Sequence, residues 1–325
     1  MPEHEVIDGY THVLTEEFYE TLTADYDFKG LGGSPAWLWD VEKRFADMDD
    51  YGVDRQVITL ALPPLWRGMD PEEALPLVEL ANDEIRRLAD DHPDRFIPVG
   101  TIPFATEAYR EEYRRCVEDL GLKGVQIFSN VDGRPIDGPE FEALYERAAA
   151  DGVPLWLHPQ LYEWYDWADE YMDHRLFGWP FDTTLALSRL VFSGIVDRNP
   201  DLKIVSHHGG GMIPFYGDRI EMFFEQRMRY PDNYPGVEDW PDYGGPIEEY
   251  FQSFYADTAV SGSSAALDCA ARFFGDDHVV FATDYPFSPD RGRAGLDVGV
   301  ESVEGMTEDA DREAIYAGNL RSILP

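Results

Sequence analysis

Eight short apolar runs, spread over the whole chain and separated by amphipathic segments, constrain this sequence more than any other feature. They are Val6–Asp8, Val57–Leu60, Phe96–Thr101, Gly124–Ile127, Leu155–His158, Lys203–Ser206, Phe254–Asp257 and Val279–Thr283. Most lack strict apolar–polar alternation, as expected of strands buried on both faces. Helix signals lie between them. Asp70-Pro71 supplies an N-cap and a first-turn proline, and Leu77, Leu80, Ala81, Ile85 and Leu88 then form one stripe. Gly138-Pro139 opens a second helix, with Phe141, Leu144, Tyr145 and Ala148 on one face and Gly152 as its stop. Asp182 is placed to cap a third, and Asn199-Pro200 closes that connection. Strands alternating with helices predict βα units joined by right-handed crossovers. Eight units fit a closed parallel barrel better than an open sheet.

Four groups able to bind metal or move protons sit at or just past the ends of such runs: His12, His158, His208 and Asp284. In a parallel barrel the strand ends converge on one mouth, so groups far apart in sequence meet there. His12 closes V-I-D-G-Y-T-H. Tyr10 lies two residues earlier, on the same side of a strand, and its phenol is a poorer ligand than imidazole unless deprotonated. His158 ends P-L-W-L-H, where Pro159 stops the strand. In His207-His208-Gly209-Gly210-Gly211, adjacent strand residues point to opposite sides, so one histidine is expected to face the mouth. That role is assigned to His208, as general acid/base, and His207 is expected to pack or to support a ligand. Asp284 follows V-V-F-A-T, where a carboxylate needs a cation or a donor. The remaining histidines, His4, His92, His174 and His278, read as exposed or structural, with substrate contact as the alternative for His174 if its segment folds over the mouth.

The formal net charge is −38, from 64 acidic and 26 basic residues. Such a surface repels nucleic acid and anionic membranes, which excludes both as expected partners. It also predicts self-repulsion that concentrated salt relieves, the signature of a halophilic protein. No apolar stretch approaches the ~18 residues of a membrane helix, and the acidic N-terminus lacks the pattern of a signal peptide, so a cytoplasmic location is expected. Cys116 and Cys269 form no motif and fit a reducing compartment.

The whole chain, 1–325, reads as one domain with two long aromatic-rich insertions, at about 160–181 and 226–246. The first directly follows His158 and suits either a pocket wall or packing on itself or at a subunit contact. The second suits internal packing or a homodimer contact. Arg67, near the end of the second strand, reads as a surface residue, with binding of a substrate carboxylate as the alternative.

The phrases L-V-F-S-G-I-V-D-R-N-P-D-L-K-I-V-S-H-H-G-G-G-M-I-P-F, F-A-T-D-Y-P-F and Y-A-G-N-L-R-S-I-L are long and distinctive. Through them the chain resembles the amidohydrolase-related family that includes aminocarboxymuconate-semialdehyde decarboxylase and γ-resorcylate decarboxylase. The resemblance implies a distorted (β/α)8 (TIM) barrel, its insertions on the C-terminal face, holding one divalent metal, Zn2+ or Mn2+. By matching position it implies His12, His158 and Asp284 as ligands and His208, with Asp284, as proton-transfer groups. Tyr10 departs from the family pattern, which places His or Glu there as a further ligand, and is carried as a candidate ligand. The implied activity is non-oxidative decarboxylation of a small aromatic or unsaturated carboxylic acid. The alternatives are metal-dependent hydrolysis of a lactone or related ring, and a non-catalytic barrel that binds a small ligand.

Overall fold

A computed structural model of the chain describes residues 4–26, 35–61, 63–66, 68–160, 170–171, 174–234 and 240–325. Its strands, in chain order, are β1 (Ile7–Val13), β2 (Arg55–Leu60), β3 (Phe96–Pro98), β4 (Gly100–Thr101), β5 (Val125–Phe128), β6 (Asn130–Val131), β7 (Arg134–Pro135), β8 (Leu155–His158), β9 (Ile204–Ser206), β10 (Tyr255–Asp257) and β11 (Val279–Val280). One parallel sheet has the order β1-β2-β3 and a second has the order β11-β10-β9-β8-β5-β4. β6 and β7 make a separate antiparallel hairpin.

Two seams join the sheets into a ring. At one, Val99 N donates to Ile58 O (3.1 Å) and Gly100 N to Gly124 O (3.0 Å), so a single strand leaves one sheet and enters the next. At the other, Gly9 N donates to Phe281 O (2.7 Å) and His12 N to Tyr285 O (2.8 Å). A glycine is required at position 9, because a Cβ there would lie 2.5 Å from Val280 Cγ1. The result is a distorted (β/α)8 barrel, in agreement with the pattern of apolar runs. Ile7, Tyr10, Val57, Ile97, Val99, Trp156, Val205 and Val280 pack together inside it. Trp156 crosses this interior and donates its indole N–H to Gly9 O (2.8 Å).

The helices Pro71–Asp91 and Pro139–Asp151 form as expected. Asp70 Oδ1 accepts from Glu72 N (2.9 Å), and Gly152 ends the second helix with φ +65°. Asp182 is not a cap. The helix runs Trp179–Phe192, so Asp182 sits in its first turn. Its carboxylate instead accepts from Gln160 N (3.1 Å) and from Ser129 Oγ, tying that helix to the β5 and β8 ends. β1 also runs further than its apolar run, so His12 lies within the strand.

Residues 161–169 and 172–173 of the first insertion, residues 235–239 of the second, and Arg67 lie outside the described residues. From the second insertion, Trp240 stacks on Phe192 (4.8 Å between ring centroids) and on Phe224 (5.7 Å), which is packing within the chain. Among the described residues no helix is long and apolar enough to cross a membrane.

Candidate active site

The C-terminal ends of β1, β8 and β9 and the segment after β11 bring Tyr10, His12, His158, His207, His208 and Asp284 together. Hydrogen bonds decide which nitrogen of three imidazoles faces inward. His158 Nδ1 lies 2.7 Å from Pro159 O. A carbonyl only accepts, so Nδ1 carries the proton and Nε2 keeps its lone pair. Thr59, paired with His12 across β1 and β2, spends its one hydroxyl proton on Thr11 O (2.9 Å). Its oxygen, 2.9 Å from His12 Nδ1, therefore accepts from that nitrogen, and His12 Nε2 is again unprotonated. His207 Nδ1 pairs with Asp257 Oδ2, while Asp257 Oδ1 is held by Gly209 N (3.0 Å) and Ala259 N (3.1 Å).

The inward nitrogens meet at Asp284. Its Oδ1 lies 3.2 Å from His12 Nε2 and 3.5 Å from His207 Nε2. The ligand atoms of His12, His158 and His207 lie within 4.8 Å of one another, as do those of His207, His208 and Asp284. Imidazole lone pairs facing a carboxylate repel unless a proton or cation lies between them. His12 Nε2 and His207 Nε2 are buried with no hydrogen-bond partner. A donor set of imidazoles plus one carboxylate, its outer nitrogens already fixed by oxygen acceptors, suits Zn2+ or Mn2+.

The electrostatics divide the histidines. Burial lowers His12 and drives His158 well below the usual imidazole value, so both are neutral. Burial works the same way on His207, but Asp257 and Asp284 more than offset it and raise it to about 10. His208 drops to about 3, through burial and then the neighbouring His207 charge. Burial alone would raise Asp284; His12 and His207 hold it well below the usual carboxylate range.

The structure differs from the sequence expectation at the histidine pair. Both rings lie at the mouth, 4.0 Å apart between centroids. Alternation fails because β9 ends at Ser206 and His208 adopts a left-handed backbone (φ +58°). His207, expected to pack or to support a ligand, instead turns Nε2 toward Asp284 Oδ1 at 3.5 Å, next to His12 Nε2 at 3.2 Å. Tyr10 is fully buried, with its ring 4.3 Å from that of His207. Its hydroxyl faces the Gln126 carboxamide without a hydrogen bond of ordinary length. Burial, and then the Asp257 and Asp284 charges, raise the phenol well above its ordinary value.

Three aromatic groups stand at the mouth: Trp179 belongs to the first insertion, a candidate pocket wall in the sequence, whereas Phe287 and Trp37 escaped the sequence reading. Trp179 is stacked 6.1 Å from His208 and stands edge-on to His158 at the same distance. Phe287 lies 5.5 Å from His12 and 5.6 Å from Trp37. Asp257 was also missed, although it ends an apolar run as the other four groups do.

A closed parallel barrel with a histidine–carboxylate centre at the C-terminal mouth is a metal-ligating architecture. The chain belongs to the amidohydrolase family, whose model, described as Amidohydrolase, matches residues 7–325. It is 32% identical over 289 residues to 2-amino-3-carboxymuconate-6-semialdehyde decarboxylase of Dictyostelium discoideum, covering 88% of this chain and 77% of that one. Its fold matches the crystal structure of 5-carboxyvanillate decarboxylase from Sphingomonas paucimobilis with a TM-score of 0.83, at 25% identity over 99% of each chain. A dihydroxybenzoic acid decarboxylase from Polaromonas, solved with bound manganese and the inhibitor 2-nitroresorcinol, matches with a TM-score of 0.80 at 25% identity, over 98% of this chain and 96% of that one.

Proposed function

We propose that this chain is a metal-dependent, non-oxidative decarboxylase of a small aromatic or unsaturated carboxylic acid. One observation carries the reading: imidazole nitrogens from three separate strand ends converge with Asp284, each outer nitrogen held by an oxygen. The decarboxylases to which the chain is similar point the same way. His12, His158 and Asp284 are assigned as ligands of one divalent metal, Mn2+ or Zn2+. Bound there, the metal supplies positive charge to a carboxylate or phenolate oxygen of the substrate. Tyr10, kept as a neutral phenol, is assigned to the buried packing beneath the site rather than to the ligand set.

Proton delivery falls to the histidine pair. His207, paired with Asp257, holds the proton on Nε2 beside Asp284. It gives that proton to the substrate carbon bearing the carboxylate. The carbon–carbon bond then breaks, its electron pair returns to the unsaturated system, and CO2 leaves. His208, neutral and half-buried, passes the replacement proton to His207 from solvent. Trp179 and Phe287 flank the mouth with apolar faces that suit a planar substrate and exclude water.

The test is turnover of small hydroxybenzoic and unsaturated acids in D2O. Release of CO2 with one deuterium on the vacated carbon is the expected result. A product that keeps its carboxyl group and takes an oxygen from H2 18O would replace this reading with the hydrolase. His208→Asn and His207→Asn should each cut turnover by at least a hundredfold with metal content intact. Unchanged rates in both would remove the pair from the mechanism.

Residues 1–325 are assigned as one barrel domain, working in the cytoplasm at high salt. A homodimer is also proposed. The helix Ile213–Arg229 exposes Phe215 (77%), Met222 (55%) and Met228 (46%), and the segment before the helix Trp179–Phe192 exposes Phe177 (66%). A groove of about 520 Å3, lined by Phe192, Ile220, Phe224, Trp240 and Arg227, lies between the helices Ile213–Arg229 and Trp179–Phe192, with no histidine in its lining. An apolar face of this kind marks an interface. Light scattering should give twice the chain mass; a monomer at micromolar concentration would contradict it.

A further inference from the structure

His12 and Asp284 stand 3.2 Å apart on two different segments, and a buried polar chain behind them joins those segments. Arg44, on the helix Val41–Tyr51, is 2% exposed. Its guanidinium donates to His12 O, to Thr11 Oγ1 (3.3 Å) and to Gln56 Oε1 (3.0 Å). Gln56 Nε2 donates to Asp8 Oδ2 (3.2 Å). Asp8 in turn accepts from Thr283 N (3.0 Å) and Thr283 Oγ1 (2.6 Å). Thr283 precedes Asp284. On its other side, the Arg44 guanidinium lies 4.7 Å from the centre of the Tyr285 ring, whose hydroxyl donates to Asp47 (2.9 Å).

We infer that Arg44, Gln56 and Asp8 are positioning residues that fix the separation of His12 and Asp284, and through it the affinity of the metal centre. This rests on the metal-dependent reading above. Ordinary barrel closure does not need the chain, because the Gly9–Phe281 and His12–Tyr285 backbone bonds already join the two segments. A buried guanidinium and carboxylate are costly to desolvate where an apolar pair would pack as well. What they add is control of the residues on either side of Asp284, whose left-handed backbone (φ +57°) is disfavoured for a residue with a side chain. Thr283 is held from Asp8 and Tyr285 from Arg44, so the carboxylate between them is aimed from both flanks. The same Arg44 holds the His12 carbonyl.

The experiment measures Mn2+ binding to metal-stripped protein, reading free Mn2+ by electron paramagnetic resonance, with thermal unfolding of the stripped proteins in parallel. Arg44→Lys and Thr283→Val are the test variants. Asn82→Ser is the control; Asn82 is equally buried, ties the helix Pro71–Asp91 to Thr101 and Glu112, and touches no site residue. Arg44→Lys and Thr283→Val are expected to bind Mn2+ at least tenfold more weakly, melting no lower than Asn82→Ser, which binds like the parent. Their kcat should fall more than their KM rises. Thr283→Val removes only a hydroxyl, so it decides the matter if Arg44→Lys does not fold. Binding by Thr283→Val within twofold of the parent, or an equal loss in Asn82→Ser, would overturn the inference. A parent that binds no Mn2+ would overturn the metal-dependent reading itself.

Discussion

At the scale of single residues, the site is defined less by its histidines than by what holds their outer nitrogens. Thr59 shows this most simply. Its one proton goes to Thr11 O, which leaves its oxygen as an acceptor for His12 Nδ1. Thr59→Val keeps the shape and removes that acceptor, so His12 is free to turn or to change tautomer. Loss of such a support weakens metal affinity about 10–100-fold, and competition with a chelator should find that loss in Thr59→Val. No loss would mean that His12 is oriented by packing alone. His12, His158, His208 and Asp284 were legible in the sequence because each ends an apolar run. His207 was not, because strand alternation assigns it outward, and the left-handed turn at His208 that defeats alternation leaves no sequence signal beyond the following glycines. Those glycines are informative in hindsight: a Cβ on Gly211 would lie 2.4 Å from Pro180 O, so the turn packs directly on the helix that carries Trp179.

At the scale of elements, local signals served well where the chain satisfies its own backbone and failed where tertiary contacts intervene. Asp70 caps its helix as its position before a proline predicts, and Asp70→Ala should cost ~1 kcal/mol in chemical denaturation. Asp182 is also a capping residue type, but the helix already starts at Trp179, and its carboxylate faces Ser129, Asn130 and the Gln160 N–H instead. Burial raises its carboxyl from 3.8 to about 6. The folded value then exceeds the unfolded one, so ionisation favours the unfolded chain. The penalty is absent below about pH 4, grows between pH 4 and 6, and is complete above, reaching ~3 kcal/mol from a shift of about two units. The stability of Asp182→Asn relative to the parent should therefore rise across that window. A flat difference from pH 4 to 7 would contradict the assignment. Strand ends were legible only approximately. Phe96–Thr101 is one apolar run but two strands, because the chain passes from one sheet to the other at Val99.

At the scale of the whole molecule, closure of the barrel turns residues 272 positions apart in sequence, His12 and Asp284, into neighbours 3.2 Å apart. The number and spacing of the apolar runs predict that closure; the aromatic rim of Trp179, Phe287 and Trp37 depends on loop geometry that no periodicity encodes. A net charge of −38 bears on the entire surface. Raising KCl from about 0.1 M to 3 M shortens the Debye length from ~10 Å to a few Å or less, and the melting temperature should climb with it. A flat profile would show that the acidic surface is not an adaptation to salt. A crystal structure grown with Mn2+ and measured at the manganese edge tests the proposed metal centre. The expected result is one anomalous peak at the mouth, about 2.0–2.3 Å from His12 Nε2, His158 Nε2 and an Asp284 oxygen, with the Tyr10 hydroxyl outside that range. No peak, or a peak ligated by other residues, would contradict a metal held by His12, His158 and Asp284.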